Sequence, residues 1–226
     1  DTAATGGTGV YTALTGPIYA EGNSGQVGAG TIILNAPSGF QFDTGGTAPT
    51  VLIQRLSGSG GDVKNINAVP SGTSVAMTAV TASQLTFTVT SASSGGVSCR
   101  LTWQDIRVRP TVGTPLASGN ITKTGTSSML IVQNGTTSFG TLTEAAGAAT
   151  RLAIQTQPSS SASVNVPFAQ QPVIRIEDQF GNLVTADNST IVTAALGSGA
   201  GTLQGSLTAT ASGGLVTFVN LAHDTV

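Results

Sequence analysis

The sequence predicts an all-β protein built as two tandem β-sandwiches. Three observations carry that expectation. Charged residues make up only 8% of the 226 residues, against roughly 25% in ordinary globular domains. Thr, Ser, Gly, Asn and Gln take their place, and Thr and Val suit a pleated, half-buried surface better than a helix. Period-2 alternation of apolar and polar residues recurs between turn residues, whereas no stretch sustains a 3.6-residue period. The alternation also stops and restarts across the small-residue stretch Glu144-Ala145-Ala146-Gly147-Ala148-Ala149, which reads as a short linker between a domain of residues 1–146 and one of residues 147–226.

The strands expected in the first domain are Tyr11 to Ala20, Thr31 to Asn35, Pro49 to Leu56, Ser74 to Val80, Leu85 to Thr90, Val97 to Val108 and Met129 to Val132. In Leu85 to Thr90 the apolar set Leu85, Phe87 and Val89 faces one way and the threonines the other. In the strand from Val97, the set Val97, Cys99, Leu101 and Trp103 changes phase before Ile106 and Val108, so a β-bulge is expected near Gln104-Asp105. Trp103 then reads as a core anchor and Cys99 as a buried small hydrophobe. With one cysteine, no disulfide forms within the chain. In the second domain, Arg151 to Thr156 reads as an edge strand ended by Pro158. Val173 to Asp178 is the next strand, closed by the turn Gln179-Phe180-Gly181-Asn182. Thr190 to Leu196 and Leu215 to Val219 follow.

Three stretches of the second domain together suggest a type: Leu152-Ala153-Ile154-Gln155-Thr156-Gln157-Pro158; Gln171-Pro172-Val173-Ile174-Arg175-Ile176-Glu177-Asp178-Gln179-Phe180-Gly181-Asn182; and Gly214-Leu215-Val216-Thr217-Phe218-Val219-Asn220-Leu221. They resemble the repeated immunoglobulin-like domains of bacterial surface proteins of the invasin and intimin kind, which stack into stalks. The resemblance implies an Ig-like, Greek-key sandwich, an extracellular or cell-surface location, and neighbouring domains or other copies of the chain as partners. It also implies that roughly two more strands would finish the second sandwich. The domain is thus expected to be either truncated or completed by a strand from another chain through β-augmentation. In the first domain, Gly28 to Asp43 resembles the strand and turn of cohesin-like sandwich modules, which implies architecture alone.

Composition excludes several function classes. A net charge of −2 with two lysines, Lys64 and Lys123, leaves no basic stripe for nucleic acid. No apolar run approaches the length of about 18 residues that spans a bilayer, so direct membrane insertion is not expected. A hydrolytic triad needs a base beside its nucleophile, and the single histidine, His223, reads as an exposed loop residue. The carboxylates are scattered over turns. No catalytic residue and no cofactor are therefore expected, and the chain reads as a non-enzymatic structural module of a surface stalk, filament or surface layer.

Weaker candidates accompany this reading. Asp178, Asn182 and Asp187, with Asn188 and Glu177 nearby, offer oxygens to a calcium ion, although their spacing matches no Ca2+ loop. Asn120, Asn134 and Asn188 open N-x-S/T triplets for N-glycosylation. A Lys–Asn crosslink would start from Lys64 or Lys123. The alternative function is a carbohydrate-binding or adhesin domain recognising a glycan or host surface, with Tyr19 and Tyr11 as aromatics able to stack on sugars.

Overall fold

The computed structural model describes residues 11–225. It is all-β, with every strand pairing antiparallel and only two single-turn 3-10 segments, Asp62–Lys64 and Ile66–Ala68. The chain divides into two compact units. One holds the described residues up to Val112 together with Ala117–Glu144; the other holds Gly113–Leu116 and the residues from Ala145 onward.

The first unit contains β1 (Thr12–Ala13), β2 (Ile18–Ala20), β3 (Gly30–Asn35), β4 (Phe40–Phe42), β5 (Thr50–Ser57), β6 (Thr73–Ala76), β7 (Ala79–Val80), β8 (Gln84–Val89), β9 (Ser98–Gln104), β10 (Arg107–Pro110), β11 (Ser118–Thr124) and β12 (Ser138–Thr143). They form a five-stranded sheet in the order β12-β11-β3-β8-β7, a four-stranded sheet β2-β9-β5-β6 and a three-stranded sheet β1-β10-β4. Alternation puts Ile32, Leu34, Leu85, Phe87, Val89 and Ile121 on the inner face of the first sheet. Val51, Ile53, Cys99, Leu101 and Trp103 line that of the second. All are at most 2% exposed and belong to one apolar cluster, the arrangement of a sandwich-like core. Trp103 packs edge-on against Phe139 of β12, ring centroids 6.0 Å apart.

Four expected elements differ from those observed. Tyr11 to Ala20 is two strands, because Gly16-Pro17 turns the chain from β1 to β2. A Cβ on Gly16 would lie 1.8 Å from the carbonyl oxygen of Trp103, while Pro17 accepts from the Trp103 amide at 3.1 Å. Ser74 to Val80 splits between β6 and β7, which lie in different sheets. The phase change after Trp103 is a break between β9 and β10, again in different sheets, with Asp105 at φ +58°. It is a corner where the chain changes sheets, whereas a bulge would keep both halves in one ladder. Met129 to Val132 forms no strand: Met129 makes one bridge to Val27, and Ile131 sits in a turn at φ +60°, 93% exposed. A run of four apolar residues imitates a strand when read without its partners. The strand of that region, β12, begins at Ser138.

The second unit contains β13 (Arg151–Thr156), β14 (Val173–Glu177), β15 (Ile191–Thr193), β16 (Leu203–Gln204), β17 (Thr208–Thr210), β18 (Leu215–Thr217) and β19 (Ala222–His223). The sheet β13-β14-β18 has β13 at its edge, as Pro158 suggested, and two-stranded ribbons pair β15 with β17 and β16 with β19. Its core is small: Ile176, Ala211, Val216, Phe218 and Leu221, flanked by Phe168, Ile174 and Val192. His223 lies on β19 opposite Leu203 and is half-buried, which corrects the expected exposed loop.

Candidate functional site

The buried ionisable groups tie strands and loops together. Glu21, 3% exposed, accepts from the amides of Val27 and Cys99, each at 2.9 Å, and from Ser93 Oγ at 2.6 Å. It ties the segment that follows β2 to β9. Glu144 accepts from the Ala117 amide at 2.7 Å. Glu177 on β14 binds Arg151 at 3.0 Å and Arg175 at 2.9 Å. Lys123, 2% exposed, donates from Nζ to Ser127 O at 2.5 Å and Asn134 Oδ1 at 2.9 Å. Burial lowers its pKa, and the two oxygens hold the 125–135 loop over its ammonium. The Lys–Asn pair of a crosslink is therefore in place, but among the described residues no carboxylate lies within ion-pair reach of the amine. Displacement of ammonia from an amide needs such a proton carrier.

Asp178 explains the Asp-x-x-x-Asn turn. It is wholly buried. Its Oδ1 accepts from the amides of Phe180 at 2.9 Å and Asn182 at 3.0 Å, and its Oδ2 from the Gly147 amide and Asn182 Nδ2, both at 3.0 Å. Burial pushes the carboxyl pKa up, but the donors from Asn182, Gly147 and Phe180 together outweigh it and hold the pKa at about 2. Asp187 caps its own turn, accepting from the amides of Ser189 and Thr190 and, at 2.6 Å, from Thr190 Oγ1. These oxygens thus already face hydrogen-bond donors, and among the described residues no three His, Cys, Asp or Glu side chains cluster.

The remaining candidates lie apart. Arg109 covers the Tyr11 ring, its guanidinium carbon 4.7 Å from the centroid. Tyr19 is half-buried and donates to Leu130 O at 3.2 Å; burial raises its pKa. Asn120 is exposed on β11 and accepts from Thr141 Oγ1 at 2.7 Å. Asn134 and Asn188 are exposed too, and each donates its amide nitrogen to a backbone carbonyl, Gly125 and Ala186 respectively.

A concave surface with a largely apolar lining lies in the second unit and was not legible in the sequence. Leu152 and Ile154 of β13 stand opposite Ile176 and Ile174 of β14. Directly paired residues share a face, so all four point to the core side. Yet Leu152 and Ile154 remain 53% and 55% exposed, because the ribbon β15–β17 covers only part of that face. Two adjoining clefts result, of about 480 Å3 beside Ile154 and Ile174 and about 380 Å3 beside Leu152 and Ile176, with Val192 and Thr193 of β15 bordering both.

The chain matches no protein-family model, no curated protein and no solved structure.

The clefts carry no charged lining except Arg151. Such a surface can take apolar side chains. It offers neither a nucleophile–base pair nor a ring of cation ligands.

Proposed function

We propose that the chain is a non-enzymatic structural module of an extracellular bacterial surface assembly, a stalk, filament or surface layer, made of two tandem Ig-like sandwiches and joined to its neighbours through strand edges. The observation that carries this reading is the half-covered core face of the second unit, an apolar surface bordered by a strand edge. An isolated sheet gains stability by covering such a face. The composition supports it: with 8% charge and a net charge of −2, copies repel one another weakly. The buried Glu21, Lys123 and Asp178 support it as well, since each holds loops to strands, as a rigid spacer requires. Electron microscopy of native surface material, labelled with an antibody to this chain, tests the reading. Label along fibres or layers is the expected result; label confined to dispersed particles would refute it.

A further inference from the structure

We propose that two copies of this chain pair through the free edge of β15, antiparallel about a two-fold axis at Val192. The proposal deepens the assembly reading above by naming the surface. In the β15–β17 ladder, Thr190 accepts from Ala211 and Ala194 donates to Leu207. The polar backbone groups of Thr190, Val192 and Ala194 therefore face β17. Strand alternation then aims the N–H and C=O of Ile191 and Thr193 the other way, where among the described residues β15 pairs with no second strand.

This edge is its own complement. With Val192 on the axis, Ile191 lies opposite the partner's Thr193 and exchanges both hydrogen bonds with it, and the symmetric pair does the same. All four donors and all four acceptors are thereby satisfied, as an isologous interface demands. Val192 borders both clefts, and directly opposed residues share a face. The partner's Val192 is thus placed on the cleft side, over the apolar surface that Leu152 and Ile154 leave open.

The absence of charge favours a second copy as the occupant. From Asn188 to Ala222 the chain carries no charged residue, so the edge lacks the lysines and inward charges that normally discourage pairing. Ile191, 65% exposed, and Leu196, 40% exposed, add apolar surface beside it. Counted over both copies, the half-exposed side chains offer on the order of several hundred Å2, at the small end for a specific interface. The dimer is therefore weak, with a Kd of about micromolar or above.

Sedimentation of the full chain across a wide concentration range is the test, together with amide exchange at Ile191 and Thr193. The expected result is a reversible monomer–dimer equilibrium in which both amides slow as concentration rises. Ile191→Lys puts like charges across the axis, and Thr193→Pro deletes an outward N–H that the fold does not use. Each is expected to weaken the dimer at least tenfold with an unchanged far-ultraviolet spectrum. A single monomeric species throughout, or a dimer in which those two amides exchange as in the monomer, would overturn the pairing. Should a variant unfold, exchange in the unsubstituted chain still decides. A monomer leaves the assembly reading standing, since that fails only in the microscopy.

Discussion

Asp178→Asn replaces one oxygen of the buried carboxylate with an NH2 group while keeping its shape. Either orientation of the new amide turns two donor–acceptor contacts into donor–donor contacts: with the Phe180 and Asn182 amides, or with the Gly147 amide and Asn182 Nδ2. The two remaining bonds also lose their charge assistance, and a buried donor left without an acceptor costs about 1–3 kcal/mol. The substitution should therefore destabilise the second unit by about 3 kcal/mol. The pH dependence gives a second measure. The folded pKa of about 2 lies below the ordinary 3.8, so the folded state holds this proton less tightly than the unfolded chain. Its contribution is then fully present above pH 4 and is lost as pH falls from about 4 to 2. At about 1.4 kcal/mol per pKa unit this amounts to about 2–3 kcal/mol. Urea titrations followed by far-ultraviolet circular dichroism at pH 7, 4, 3 and 2 read both effects, and the variant should show a shallower acid limb than the parent. A cost below about 0.5 kcal/mol at pH 7, or identical acid limbs, would refute the assignment of the turn to this carboxylate.

Four further outcomes follow from the first unit. Trp103→Ala should cost about 3–5 kcal/mol by opening a cavity beside Phe139, measurable as a lower denaturation midpoint; a near-neutral result would contradict its burial. Cys99 is wholly buried, and burial raises its thiol pKa, so labelling with an aromatic disulfide should proceed only at the rate of unfolding. Lys123→Ala should leave Ser127 O and Asn134 Oδ1 without their donor and cost about 1–3 kcal/mol. The intact mass of the parent should show no loss of ammonia, because the amine faces Asn134 without a carboxylate to carry the proton.

Much of the fold was legible in residue pattern. The alternation of Leu85, Phe87 and Val89 with threonines appears unchanged as β8, and Pro158 correctly ends an edge strand. What period-2 reading lacks is the identity of the partner strand. Ser74 to Val80 and Val97 to Val108 each look continuous, because alternation is a local property and changing sheets is not. Met129 to Val132 shows the opposite error, since an apolar run satisfies the strand pattern without a ladder to join.

The sequence by itself determined the all-β class, the core faces and the scarcity of charge that makes close approach of copies cheap. These depend on side-chain type and spacing alone. The tertiary structure decided which buried polar groups meet. Glu21 with Cys99, Lys123 with Asn134 and Asp178 with Gly147 are paired by chain reversal, over separations that no local pattern encodes. It also decided that Leu152 and Ile154 stay half-exposed beside the open edge of β15. Exposure depends on what covers a face, and the covering strands come from elsewhere along the chain.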